Sequence, residues 1–139
     1  MAKDHTSNFL DDAEVFKFAV ESSDLGVWGY DVVSDELFWS RKLYEIMGVE
    51  PGSPVKYSYL TDLIHPDDLE WVQAKFKDSS EKKEAYDIEF RVLRADTGET
   101  IWGRFTRQAF YDVSGEPYKM FGTTVDTVSY THLTLPTKA

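Results

Sequence analysis

The chain has 139 residues, a formal net charge of -10, 42% hydrophobic and 15% aromatic residues, and no cysteine. That length and apolar content suit one domain with one packed core and argue against disorder. The acidic balance argues against nucleic acid or anionic lipid as a partner, because phosphate binding draws on clustered Lys and Arg, and the lack of cysteine excludes disulfides, cysteine-bound zinc, iron–sulfur clusters and thiol nucleophiles.

The opening MAKDHTSNFLDD has no apolar core of the kind a secretory signal needs, and no apolar run reaches the ~20 residues that span a bilayer. Residues 1–12 are expected to be a disordered leader, with the domain itself at 13–127. Asp11-Asp12-Ala13-Glu14 offers a capping-box-like start, and Val15, Phe16, Ala19 and Val20 give a short helical face up to Ser22-Ser23. Residues 26–32 and 36–40 read as two strands around the Val33-Ser34-Asp35 turn. Residues 41–47 read as a short helix stopped by Gly48, with Pro51-Gly52-Ser53-Pro54 beyond it. Another short helix is expected over 57–64.

His65-Pro66-Asp67-Asp68 opens a longer helix, with proline at the first helical position and two carboxylates near the positive end of the dipole. Leu69, Val72 and Phe76 share one face, with Trp71 beside them, up to Asp78-Ser79-Ser80. The stretch 86–127 then reads as three strands. Tyr86, Ile88, Phe90 and Val92 alternate with Asp87, Glu89 and Arg91, the period-two pattern of a half-buried strand. Asp96-Thr97-Gly98 and Val113-Ser114-Gly115-Glu116-Pro117 supply hairpin turns. Such an order segregates the helices from the strands, which means an antiparallel sheet with helices on one side. The last two strands carry apolar residues on both parities: Trp102 and Phe110 against Ile101, Phe105 and Tyr111, then Tyr118 and Met120 against Phe121 and Val125. The second sheet face is therefore expected to be covered, by the N-terminal helix or a second subunit.

The 86–127 stretch resembles the C-terminal half of a PAS domain with its PAC motif, a sensory module of bacterial signalling proteins. Leu37-Phe38-Trp39-Ser40, Leu43-Tyr44-Glu45-Ile46-Met47-Gly48 and Ile64-His65-Pro66-Asp67-Asp68 extend the resemblance over 16–127. It implies an α+β fold of five antiparallel strands in the order 2-1-5-4-3, with short helices packed on one face. It also implies an input module of a cytoplasmic signalling protein, most often a sensor histidine kinase in a phosphorelay. The alternative is an interaction or dimerisation module of a diguanylate cyclase or other regulator, without a small ligand. Either way a homodimer through the N-terminal helix or the outer sheet face is expected. Residues 128–139 (VSYTHLTLPTKA) break the pattern and resemble a translated transposase sequencing adapter. They are set aside as non-native, and the chain is expected to be a truncated gene product whose effector domain is missing.

Little in the sequence points to catalysis. Asp67 and Asp68 are helix neighbours about 100° apart, so they read as dipole and capping carboxylates and not as an acid–base pair. The serines sit in turn-like contexts without a paired base. His65 reads as a cap or packing residue; His5 and His132 lie in terminal segments. No metal site or cofactor is expected, and neither haem nor non-covalent flavin has a residue assigned to it. A ligand pocket, if formed, is expected between sheet and helices, with Tyr44, Met47, Leu60, Ile64, Val72, Phe76, Phe90 and Met120 as candidate lining. Trp102 is read as a packing anchor of the central sheet and, with Asp126, as part of the signal relay. Asp126 matches the aspartate of the Asp-Ile-Thr ending of PAC motifs and is expected to be exposed and idle here.

Overall fold

The structure, a computed structural model, describes residues 12–127; the rest of the expected leader and the 128–139 tail lie outside the described residues. The elements run α1 (Asp12–Ser22), β1 (Gly26–Asp31), β2 (Glu36–Trp39), α2 (Arg41–Met47), α3 (Tyr59–Leu63), α4 (Pro66–Lys82), β3 (Tyr86–Leu93), β4 (Thr100–Tyr111) and β5 (Pro117–Asp126). The strands form one antiparallel sheet in the order β2-β1-β5-β4-β3, so the fold is the expected α+β sheet.

Alternation decides the inner face. On β3, Tyr86, Phe90 and Val92 are buried while Asp87 and Glu89 are exposed. Across from them, Gly103, Phe105 and Arg107 of β4 turn inward. Phe90 and Phe105 stack at 4.1 Å, and Met47 of α2 and Val72 of α4 close over them as fully buried side chains. Helices α2 to α4 thus bury this face, and apolar burial supplies the main driving force for the fold.

Local chemistry fixes the helix ends. The Ser40 hydroxyl accepts the Leu43 N–H at 3.3 Å as the cap of α2 and the Val27 N–H at 2.9 Å, so one oxygen starts the helix and ties it to β1. Gly48 ends α2 in the left-handed conformation, at φ 73°, where a side chain would be strained. Arg94 donates to the Glu45 and Ile46 carbonyls at 2.8 and 3.2 Å, satisfying the last turn of α2. Helix α4 runs past the expected stop at Ser79-Ser80 to Lys82. Arg107 donates to both serine hydroxyls, and Ser79 in turn donates to the Glu84 carbonyl. Partners inside the fold let these two serines stay helical.

The outer face is apolar and partly covered. Phe16 of α1 meets Phe38 edge-on at 6.2 Å, while Phe110 and Phe121 meet each other at 5.8 Å and stay substantially exposed. Trp102 corrects the sequence reading: it is not a packing anchor of the core but 46% exposed on this face. Its parity is opposite to that of Phe105, so it faces out against Arg91, whose guanidinium lies 5.3 Å from the indole.

Candidate functional site

A cavity of about 410 Å³ lies between the inner sheet face and helices α2, α3 and α4. Sites for small organic ligands have volumes of roughly 300–1,000 Å³ and mainly apolar walls with a few placed polar groups. The sheet contributes Trp28, Thr124, Tyr86 and Arg107, and β2 contributes Leu37 and Trp39. Leu43 and Met47 come from α2, Leu60 and Thr61 from α3, and Gln73, Phe76 and Lys77 from α4. Trp28 can lie along the sheet because Gly122 is its partner on β5; a Cβ there would collide with the indole and with the Thr106 carbonyl. Tyr57, in the loop before α3, stacks on Tyr30 at 4.5 Å and sits 5.9 Å from Trp28, with its hydroxyl donating to the Met120 sulfur at 3.2 Å.

Arg107 is the polar centre of this wall. It is only 6% exposed, and its guanidinium lies 5.0 Å over the Tyr86 ring. Nη2 donates to the Ser79 and Ser80 hydroxyls at 3.1 and 3.2 Å, while Nε has no hydrogen-bond partner among the described residues. Burial raises the pKa of the Tyr86 hydroxyl above its ordinary value, so the phenol stays neutral at working pH.

Three of the sequence candidates, Met47, Leu60 and Phe76, line the cavity. Ile64, Val72 and Phe90 are instead buried in the core beside it. Tyr44 packs against Trp39 at 5.3 Å and donates to the Ser53 carbonyl, and Met120 lies behind Tyr57. The eight candidates did not include Trp28, Trp39, Tyr86 or Arg107, which also line the cavity. The signal for the last was its shared parity with Phe105 on β4.

His65 caps α4, its Nδ1 accepting the Asp67 N–H at 3.0 Å, and it is not part of the cavity wall. Asp68 also corrects the sequence reading. Its side chain is no cap: it pairs with Arg91 of β3, with Nη2 at 2.7 Å. Asp126 is not exposed and idle, as expected, but half-buried opposite Gly103. Its carboxylate is one of the charges, after those of Asp96 and Glu99, that raise the Arg94 pKa. Next to it, the Thr127 hydroxyl donates to the Trp102 carbonyl at 2.9 Å. No helix among the described residues is long and apolar enough to cross a membrane.

Residues 36–124 match the family model described as PAS fold. The chain is 29% identical over 92 residues to Sensor protein FixL of Bradyrhizobium diazoefficiens, an alignment covering 66% of this chain and 18% of that protein. It is 20% identical over 113 residues to the probable diguanylate cyclase DgcE of Escherichia coli, covering 81% of this chain and 10% of that one. The chain therefore spans a small part of these relatives. Among solved structures it resembles a sensory box histidine kinase/response regulator from Burkholderia thailandensis, at TM-score 0.67 and 29% identity, covering 88% of this chain and 92% of that one. It shares the fold of the N-terminal domain of a diguanylate cyclase with PAS/PAC sensor from Marinobacter aquaeolei, at TM-score 0.66 and 24% identity, covering 78% and 98%. The protein belongs to the PAS fold family, as a domain related to those of bacterial sensor histidine kinases and diguanylate cyclases.

Proposed function

We propose that this domain is the input module of a cytoplasmic signalling protein and that its cavity takes the small molecule being sensed. The observation that carries the reading is the ligand-sized, aromatic-walled cavity between sheet and helices. The parent protein in this reading is a sensor histidine kinase acting in a phosphorelay, in line with the named sensor relatives. A diguanylate cyclase is the alternative effector, in line with the second curated relative.

The relay runs from the cavity wall to the strand end. Leu43 and Met47 of α2 line the cavity, and Arg94 holds the carbonyls at the end of that helix. The Ala95 N–H adds a bond to the Met47 carbonyl at 2.9 Å. Arg94 also feels the Asp126 charge, so a ligand that shifts α2 changes the electrostatic field at the end of β5. Trp102 contributes through its carbonyl, which holds Thr127. Two arrangements of this network are what a ligand must bias to transmit a signal. In the full-length parent, Asp126→Ala is expected to change effector output while leaving the domain folded. Unchanged basal and stimulated output would remove Asp126 from the relay.

The exposed aromatics of the outer face favour a second role, homodimerisation through that face or α1. Native mass spectrometry of protein purified from cells addresses both roles. A retained small-molecule mass is expected; a dimer carrying no added mass supports the interaction module instead. The complete coding sequence of the parent protein tests the effector reading: a phosphoacceptor histidine with an ATPase domain means kinase, a GGDEF motif means cyclase.

A further inference from the structure

The cavity is charged against the grain of the chain. The protein has 25 acidic and 15 basic residues, yet the cavity wall includes Arg107 and Lys77 and neither Asp nor Glu. Arg107 is 94% buried, by its 6% exposure, and burying a charge is costly unless it is paired and hydrogen-bonded. Its Nη2 partners, the Ser79 and Ser80 hydroxyls, are neutral. Two acids near that end of α4 are committed elsewhere: Asp78 pairs with Lys82 at 3.3 Å and Glu81 with Lys77 at 3.9 Å. The Tyr86 ring beneath the guanidinium gives partial compensation through its π face. Its hydroxyl is held neutral by burial and supplies no counter-charge. Among the described residues no carboxylate forms a salt bridge with Arg107, and its buried Nε donor is unpartnered.

We propose that the cavity binds a small organic carboxylate with an apolar body, and that Arg107 is its counter-ion. This rests on the reading of the cavity as a ligand site. A planar guanidinium with donors to spare matches a carboxylate in shape and charge. The walls facing it, Trp28, Trp39, Leu43, Met47, Leu60 and Phe76, match an aromatic or aliphatic body. Lys77 is exposed at the cavity edge and already shares its charge with Glu81, so the wall offers one buried positive charge. A monoanion matches that better than a phosphate dianion, which draws on several cationic or N–H donors.

The test titrates the whole 139-residue chain with two matched probe pairs: 3-phenylpropionate against 3-phenylpropanol, and octanoate against octanol. Fluorescence of Trp28 and Trp39, both in the wall, reports binding. Each carboxylate is expected to bind about tenfold or more tightly than its alcohol, the equivalent of one charge-assisted contact. Arg107→Gln is expected to erase that ratio while alcohol affinity stays within about twofold, and Arg107→Lys to restore part of it. The native-chain ratio stands whether or not the variants fold. Equal binding of acid and alcohol, or a preference that survives in Arg107→Gln, overturns the carboxylate assignment and leaves the ligand site standing. Failure of all four probes to bind at roughly ten-millimolar concentration, a Kd beyond any useful affinity, overturns the ligand site and this inference together.

Discussion

Replacing Phe90 with alanine is expected to lower the stability of the domain by ~3–5 kcal/mol, the usual cost of deleting a fully buried aromatic ring. Phe90 has 0% exposure and sits where all the inner layers meet. It stacks on Phe105 of the neighbouring strand at 4.1 Å and takes the edges of Phe76 and Trp71 from α4 at 6.2 and 6.4 Å. Removing the ring leaves those three partners facing a void, and such aromatic pairs are worth ~0.5–1.5 kcal/mol beyond area burial. A domain of this size is stable by only ~5–15 kcal/mol in total, so the variant loses a large share of its margin. Urea unfolding is the measurement, with the midpoint falling and the slope unchanged. Phe90→Leu should recover part of the loss because it refills part of the volume. A midpoint shift worth less than about 1 kcal/mol would mean that the core closes around the gap, and would move the packing centre away from Phe90.

Phe90 also shows what was legible in the sequence. The alternation from Tyr86 to Val92 is local, so β3 and its inner face could be read directly, and the same holds for the turn chemistry between the later strands. The expected order 2-1-5-4-3 came through family resemblance, because alternation says nothing about which strand lies beside which. On β4 both parities carry aromatics, so the pattern alone left the core face open and Trp102 was read as packed. The register with β3, which pairs Trp102 with Arg91 and Gly103 with Phe90, settles it. Arg107 was hidden for the opposite reason: a charged residue in a strand reads as solvent-facing until its neighbours Ser79 and Ser80 on α4 are known. The cavity wall therefore became visible only with tertiary contacts, although Met47, Leu60 and Phe76 could be picked from their helical faces. Asp68 was masked by its neighbour Asp67. Two acids at a helix start look alike in sequence, and the partner that separates them, Arg91, lies 23 residues away.

That separation leads to the second large effect. Asp68 is 4% exposed and accepts four hydrogen bonds. Oδ2 accepts the Arg91 backbone N–H at 2.9 Å and Nε at 3.0 Å; Oδ1 accepts Nη2 at 2.7 Å and the Trp71 indole N–H at 3.3 Å. With the His65 N–H on the Arg91 carbonyl at 2.9 Å and the Ile64–Val92 bridge, it fastens the start of α4 along the free edge of β3. Asp68→Ala leaves an N–H and a guanidinium without their acceptor, and is expected to cost roughly 3 kcal/mol at neutral pH. The side-chain bond from Arg91, then those from the Arg91 and Trp71 N–H groups, hold the Asp68 carboxyl well below the usual carboxylate range, against the opposing effect of burial. A depressed pKa stabilises the fold above the unfolded value of ~4, and that contribution is lost as pH falls from there towards the folded value. Asp31, Asp87, Asp96 and Asp112 also have lowered pKa values and sag in the same window, so native stability alone does not isolate Asp68. The difference between the native chain and Asp68→Ala does, because the other four are common to both. Urea midpoints measured from neutral pH down through the acid range should show a gap that is widest above about pH 4 and narrows below it. A gap that stays constant across that range would mean that Asp68 acts by shape and not by charge, and no gap at neutral pH would mean that α4 holds the β3 edge without it.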